Sequence, residues 1–173
     1  MIALGPDVPR GKRITAPVSL LDVFPSVLDC CGVALKDEDR DLPGKSIFRM
    51  AAAPDDPQRP LMTQYHASGA ASGSFMLRRG KMKFLYYVGY PAQLYDLERD
   101  PGELRDVSGD PAYRDVMKRM ESELRTIVDP EAVDAQAKSD QRAIVERNGG
   151  REKVVAKGTF GYTPAPGETP EYE

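Results

Sequence analysis

The stretch from Ser74 to Glu103 is SFMLRRGKMKFLYYVGYPAQLYDLERDPGE, and its apolar and polar residues alternate on both sides of Arg79-Gly80-Lys81. Such alternation is typical of half-buried strands, and a glycine between two of them is typical of a tight turn. The pattern therefore predicts a β-hairpin. It also predicts a third strand, Gln93 to Leu97, which ends at Asp100-Pro101-Gly102 because proline cannot donate to a strand ladder.

The sheet has predicted neighbours on both sides. Leu61 to Ala67 is typical of a further strand, and the small-residue segment Ser68 to Gly73 after it is interpreted as a mobile loop, which either gates a substrate or only connects the strands. Downstream, Asp110-Pro111 is typical of a capped helix start. An apolar stripe follows at helical spacing: Tyr113, Val116, Met117, Met120, Leu124 and Ile127. We therefore expect an α+β fold, with a small antiparallel sheet of three or four strands packed by a C-terminal helix.

The segment before the sheet indicates pieces of a different layer. Met1 to Leu4 is typical of a buried strand, and Ser19 to Cys31 predicts a buried helix with Ser19 as N-cap. The stretch from Lys36 to Pro60 predicts a loop with one helical turn at Ser46 to Ala53. Its Asp55-Asp56 pair fits a solvated turn better than a metal site, because the pair lacks further ligands. We interpret this segment as a strand and helix left from a larger α/β core, and we expect the chain to start within a larger domain.

Three regions follow from these patterns. Residues 1–60 are the expected core remnant, and residues 61–128 are the expected sheet-plus-helix subdomain. Residues 129–173 are expected to hold a polar surface helix, from Asp129-Pro130 to about Arg147, and then an extended tail. The proline-rich part of the tail, Thr163 to Pro170, either lies free or wraps a neighbouring subunit, which would make a homo-oligomer.

Composition excludes several classes of protein. The chain has 173 residues and a formal net charge of −3, so no global positive field attracts nucleic acid or an acidic membrane. Cys30 and Cys31 are adjacent, which argues against a disulfide framework, and together with the single His66 they are too few for a zinc site. The sequence contains no long apolar span and no secretory signal, which favours a cytoplasmic location.

Catalytic motifs give mostly negative results. The glycines at 69 and 73 are not followed by the Lys-Ser/Thr of a phosphate loop, and no serine sits in a nucleophile elbow that would use His66. The hairpin is rich in basic and aromatic residues, as a nucleic-acid surface is. Alternating charges on a strand, with nearby acidic residues, are more typical of a solvated face.

Several motifs resemble one family. Val18 to Asp29, followed by Gly32-Val33 and Gly44-Lys45-Ser46, resembles the stretch after the last metal-binding motif of type I sulfatases in the alkaline-phosphatase-like superfamily. Tyr65-His66-Ala67, Phe75 to Gly80 and Gln93 to Glu103 are similar to the C-terminal subdomain of that family. The choline-sulfatase-like and arylsulfatase-like branch is the most similar, over Ile2 to about Ile127.

The resemblance implies a C-terminal portion of a sulfuric ester hydrolase that acts on a small sulfate ester. The formylglycine nucleophile from a C-x-P-x-R motif, and the calcium ligands, would lie in a preceding half, so this chain has no catalytic or metal residue of its own. Calcium is expected in a full-length member. The substrate-pocket candidates are Gln64, His66 and Lys83. Gln64 stands where the choline-sulfatase branch has an acidic group, which argues against choline.

Two hypotheses of function follow. In the first, the chain closes the substrate cleft of a sulfatase, supports its core and is inactive alone. In the second, it is a non-catalytic binding or oligomerisation module, as the missing nucleophile and the extended tail suggest. Nucleic acid and membrane are not expected partners.

Overall fold

The computed structural model describes residues 2–5, 8–67 and 70–158. Its centre is an antiparallel sheet of four strands that pair in chain order: β1 (Leu61–Tyr65), β2 (Ser74–Arg79), β3 (Met82–Tyr87) and β4 (Tyr90–Asp96). The predicted hairpin is confirmed, and its turn contains Gly80 at φ 55°. Strand β4 begins earlier than the predicted Gln93, because Gly89 at φ 82° already turns the chain.

One face of the sheet packs against helix α3 (Arg114–Ile127). The side chains buried in this layer are Phe75, Leu77, Met82, Phe84, Leu94, Val107, Met120 and Leu124. Burying one such side chain stabilises the fold by about 1.5–3 kcal/mol, so this layer carries most of the hydrophobic stabilisation. Asp110 accepts a hydrogen bond from Ala112 N at 2.9 Å and caps the turn before α3, as predicted. The expected α+β fold, a small antiparallel sheet packed by a C-terminal helix, is therefore confirmed.

The opening of the chain differs from its prediction. Residues 2–5 form no strand, and Ile2 and Leu4 are almost fully exposed. A strand needs a neighbouring strand for its backbone N–H and C=O groups, and none pairs with this segment within the described part of the chain. The predicted opening strand is therefore wrong for these residues.

The predicted helix after Ser19 is present but not buried. A single 3-10 turn (Leu20–Asp22) leads into α1 (Val23–Cys30), and Ser19 Oγ accepts a hydrogen bond from Leu21 N at 3.3 Å. The outer side of this segment carries large exposed apolar side chains: Leu20, Leu21, Val23, Phe24 and Val27. We call these five residues the apolar helix face. The expectation of a buried helix is wrong for this chain, because the apolar helix face stays open to solvent.

The loop before the sheet is more ordered than its composition predicts. The expected helical turn is α2 (Ile47–Ala52), with Ser46 as N-cap. Asp55 is exposed, as expected of a turn, but it also accepts hydrogen bonds from Thr15 N, Thr15 Oγ1 and Ala16 N at 2.6–2.8 Å. This carboxylate therefore fixes the path of the preceding segment.

Two helices follow α3. The predicted polar helix is α4 (Pro130–Arg147), with Asp129 capping Ala132 N at 3.0 Å. A short helix, α5 (Arg151–Ala156), replaces the extended start expected from Arg151, and Gly150 at φ 87° separates it from α4. The proline-rich segment Thr163 to Pro170 lies outside the described residues. Within the described ranges, no helix is both long enough and apolar enough to cross a membrane.

Candidate functional site

Two of the three predicted pocket residues lie at the end of β1. Gln64 pairs with Phe75 of β2, and the next residue, Tyr65, pairs with Ser74. Since side chains alternate along a strand, Gln64 lies on the face that carries the core and Tyr65 on the opposite face. Gln64 is nevertheless exposed, because β1 is an edge strand and Gln64 lies near its end. Its amide is therefore open to a partner or ligand.

His66 follows β1, and its imidazole is enclosed. The ring meets Phe75 edge-on, with the centroids 5.3 Å apart and the planes at 74°. Both ring nitrogens are buried and have no hydrogen-bond partner among the described residues. A buried polar group without a partner is unfavourable and rare, so it often marks a functional position. This geometry makes His66 a stronger substrate-pocket candidate than its position in the sequence alone would indicate.

Helix α4 covers this strand end through polar contacts. Gly73 N donates a hydrogen bond to Asp134 Oδ1 at 2.6 Å, and Lys138 Nζ lies 2.8 Å from Asp134 Oδ2. Gln141 Nε2 donates to the carbonyl oxygen of His66 at 2.6 Å. The Lys138 ammonium, together with the Gly73 N–H, lowers the pKa of Asp134 despite its burial. The ionised Asp134 carboxylate thus holds α4 in contact with the loop beside His66 through its hydrogen bond with Gly73 N.

These α4 residues were missed by the sequence analysis. The Gly73–Asp134 contact joins residues 61 positions apart, and the His66–Gln141 contact joins residues 75 positions apart. No local pattern marks such pairs. Only the docking of α4 on the sheet brings them together.

Lys83 lies away from the other two candidates. It pairs with Arg78 across β2 and β3 and follows Met82 of the core face, so its side chain is on the opposite face. Lys83 Nζ lies 2.5 Å from Glu103 Oε2. The structure therefore brings Gln64 and His66 to one strand end and leaves Lys83 in an ion pair at the other end of β3.

A row of tyrosines crosses the same end of the sheet on the face away from α3. Tyr65 pairs with Ser74, Ser74 with Tyr87, and Tyr87 with Tyr90, one residue from each strand in turn. Residues directly opposite each other on antiparallel strands share a face. Tyr65 and Tyr90 are 51% and 58% exposed. We call Tyr65, Tyr87 and Tyr90 the tyrosine row.

A second polar centre lies below α1. Both oxygens of Asp22 accept hydrogen bonds from the guanidinium of Arg59 at 2.7 Å, and they also accept from Ser19 N and Lys45 N at 2.7 and 2.8 Å. Part of this polar centre has a local sequence signal, because Ser19-x-x-Asp22 has the spacing of a capping box. The structure contains both hydrogen bonds of that capping box. Its distant partner Arg59 has no such signal. This centre fixes α1 to the loop before the sheet.

A surface cavity of about 460 Å³ opens beside this centre, between α1, α2 and the loop before β1. Its lining includes Arg49 and Asp29, whose side chains are hydrogen-bonded through Arg49 Nε at 2.8 and 3.0 Å. The Asp29 pair raises the pKa of Arg49, and the Arg49 hydrogen bonds lower the pKa of Asp29. Both side chains are therefore charged and bound to each other. Neither of them is free to act as a catalytic group in this cavity.

The residues do not fit the calcium site that a sulfatase resemblance implies. Across residues 2–5, 8–67 and 70–158, no three His, Cys, Asp or Glu side chains are grouped so that they could hold a metal ion. A calcium ion needs about six to eight oxygen ligands. The described residues therefore do not form a calcium site of their own.

Comparison with known proteins identifies the family. The model of the C-terminal region of N-sulphoglucosamine sulphohydrolase matches residues 1–129. The chain belongs to this sulfatase family. The match takes in the sheet and α3 and stops before α4, so the contacts of α4 with His66 lie beyond the shared domain.

Individual relatives agree with this assignment. Arylsulfatase K of Danio rerio is 31% identical over 137 residues, which cover 75% of this chain and 25% of the relative. Choline-sulfatase of Rhizobium meliloti (strain 1021) is 34% identical over 111 residues, which cover 64% of this chain and 21% of the relative. A solved 2-O GAG sulfatase shares the fold with a TM-score of 0.60 and 21% identity, covering 80% of this chain and 30% of that chain. The chain spans about a quarter of the length of these curated relatives.

Proposed function

We propose that the chain is the part of a sulfuric ester hydrolase that closes one side of the substrate cleft and supports the catalytic core, and that it is inactive alone. The family match supports the sulfatase C-terminal assignment over residues 1–129. The proposal adds to that assignment a role in closing the cleft and supporting the core. The nucleophile and the calcium ligands come from the remainder of a longer protein.

The apolar helix face carries this proposal. Leu20 is 89% exposed and Phe24 is 44% exposed, although both lie on a capped and well-formed helical segment. Large contiguous apolar patches on soluble proteins usually mark an interaction surface. The catalytic core of the longer protein is the occupant that fits, because the curated relatives continue for about three times the matched length.

Inactivity of the isolated chain follows from the chemistry of the reaction. Sulfate-ester cleavage needs an activated nucleophile and concentrated positive charge near the departing oxygen. Three basic residues of the hairpin are held in ion pairs, Arg79 with Glu123, Lys81 with Glu98, and Lys83 with Glu103, and Arg78 Nε donates to the carbonyl oxygen of Gly80 at 3.3 Å. These side chains fit a structural role better than charge stabilisation of a reacting sulfate.

The end of β1 is the proposed contribution to the cleft. Gln64 is exposed there, and the enclosed imidazole of His66 has two unpartnered nitrogens close to it in the chain. Opening of α4 would let the imidazole donate to or accept from a sulfate ester. The amide of Gln64 is neutral, so it favours a sulfate ester whose alcohol part is uncharged or anionic over one whose alcohol part is a cation. This preference disfavours choline.

The decisive experiment reads the coding DNA upstream of the Met1 codon and assays two proteins with an aryl sulfate and calcium. We expect a C-x-P-x-R motif upstream, hydrolysis by the full-length product and none by the chain alone. Turnover by the chain alone would overturn the inactivity. An open reading frame that truly begins at Met1 would favour a binding or oligomerisation module instead.

A matched pair of variants tests the apolar helix face. In the full-length product, Leu20→Asp should lower soluble yield or activity strongly, because it places a charge in the interface with the core. Leu104→Asp is the control, since Leu104 is 91% exposed against 89% for Leu20 but lies outside the apolar helix face. Equal behaviour of the two variants would argue against this surface as the docking face.

A further inference from the structure

The docked position of α4 encloses the imidazole of His66 in a very small space. The described residues leave a cavity of about 10 Å³ between His66, Gly73 and α4. The α4 residues that line this cavity are Asp134, Ala137, Lys138 and Gln141. A single water molecule needs about that much space. While α4 is docked, the ring can therefore meet no molecule as large as a sulfate ester.

The attachment of α4 to the rest of the chain is strong only at its start. Pro130 is buried, Val133 packs against the core, and Glu131 Oε2 accepts a hydrogen bond from Arg125 Nη1 at 2.8 Å. By contrast, none of the residues from 135 to 147 is buried. A segment with few buried apolar contacts opens at a lower free energy than the core does. The later turns of α4 should therefore leave the sheet while its first turn stays docked.

The docked state also carries a cost that opening would remove. Both ring nitrogens of His66 are buried without a hydrogen-bond partner among the described residues, which is unfavourable. Opening would hydrate this ring and break the hydrogen bond from Gln141 to the His66 carbonyl oxygen, which lies at the exposed surface. Water replaces such a contact at small cost. The docked and open states should therefore lie close in free energy.

We propose that α4 is an autoinhibitory lid. Docked, it masks the imidazole of His66. Displaced, it exposes this imidazole to the substrate cleft. This inference rests on the proposed function, because it names a regulation of the same strand end, and it adds that α4 restrains the activity of the full-length product. The family match ends at residue 129, so the lid lies outside the matched region.

The first test follows His66 in the purified chain, which contains one histidine. Diethyl pyrocarbonate acylates an exposed imidazole nitrogen, and mass spectrometry of the histidine peptide measures the rate. We expect this rate and the amide hydrogen exchange of residues 135–147 to rise together at urea concentrations that leave β2 and β3 protected. Acylation that begins only when β2 and β3 lose protection would overturn the lid, and so would a rate without urea equal to that of free histidine.

Two exposed glutamines of α4 provide a matched pair of variants. Gln141→Ala removes the hydrogen bond to the His66 carbonyl oxygen, whereas Gln136→Ala removes one to Asp140 Oδ1 at 2.8 Å. We expect Gln141→Ala to raise the acylation rate about fivefold, which is the change in the opening equilibrium expected from the loss of one hydrogen bond. Gln136→Ala should react like the parent. Equal rates in the two variants would overturn the proposal.

Activity decides whether the lid restrains the full-length product. There, Gln141→Ala should raise kcat/KM for an aryl sulfate about fivefold, whereas a helix that only stabilises the fold would leave it unchanged or lower it. An unchanged or lower value, together with a more reactive His66, would overturn the autoinhibition. If the full-length product has no sulfatase activity, the proposed function is rejected, and the acylation of His66 in the chain still decides whether α4 is a lid.

Discussion

Arg59 clamps Asp22 with two parallel hydrogen bonds of 2.7 Å, and the two side chains are only 12% and 1% exposed. Burial alone would raise the pKa of Asp22, but the hydrogen bonds from Arg59, Ser19 N and Lys45 N outweigh it and lower this pKa to about 2. The same contacts raise the pKa of Arg59. The pair thus joins α1 to the start of the sheet across 37 residues.

Removal of one partner from this pair should be costly. We expect Asp22→Ala to destabilise the chain by about 3–5 kcal/mol, because the Arg59 guanidinium would remain mostly buried without a counter-charge. Urea unfolding measures the loss, and hydrogen exchange should place it in residues 19–30. Arg49→Ala breaks an ion pair in which the arginine side chain is 81% exposed, so it should change stability little. Equal losses in the two variants would contradict the importance of burial.

The same carboxylate should make stability depend on pH in acid. Because the folded-state pKa of Asp22 is about 2 and its ordinary value is 3.8, its contribution is present above about pH 4 and is lost as the pH falls through about 2. The expected loss is about 2 kcal/mol. Glu131, with its pKa lowered to about 2 chiefly by Arg125, titrates over a similar range. The measurement is therefore the difference between the parent and Asp22→Asn in urea unfolding at pH 5 and pH 2, and parallel pH profiles would refute it.

Gly73 should tolerate no side chain. A Cβ at this position would lie 2.8 Å from His66 Cε1 and 3.1 Å from Asp134 Oδ1, so both groups would have to move. We expect Gly73→Ala to cost about 1–3 kcal/mol and to release α4 while β2 and β3 stay protected from hydrogen exchange. Gly109→Ala is the matched control, since its Cβ would meet nothing within 4 Å. Protection of residues 130–147 that survives in Gly73→Ala would argue against α4 as a cover on His66.

The sheet and α3 could be predicted from sequence because their signals are local. Alternation around Gly80 gave the hairpin, and the stripe from Tyr113 to Ile127 gave the helix that covers it. The Ser19 capping signal likewise placed α1. The predicted burial of α1 was wrong, and so was the strand predicted at Met1 to Leu4 for its described residues. Both depend on neighbouring elements, which an apolar pattern implies but does not supply.

The candidate site was less accessible from sequence. The resemblance to sulfatases named Gln64, His66 and Lys83, and the structure places the first two at one strand end and Lys83 in an ion pair elsewhere. Asp134 reaches this strand end from α4, which shares no local pattern with β1. The tyrosine row is visible only once the register of all four strands is known.

Because a domain boundary is expected near residue 60, we predict that the region after it folds independently of residues 1–60. Every buried apolar side chain of the described core lies between Phe75 and Leu124, and α4 adds contacts to the same sheet. We therefore expect a fragment of residues 61–147 to fold alone, with dispersed amide NMR signals and a cooperative urea transition. A fragment of residues 1–60 is the control and should stay unfolded, because its buried described residues are Pro17, Asp22, Ser26 and Ser46, and none of them is a large apolar side chain. An unfolded 61–147 fragment would mean that the Asp22–Arg59 clamp is needed by the sheet itself, and the two regions would then form one folding unit.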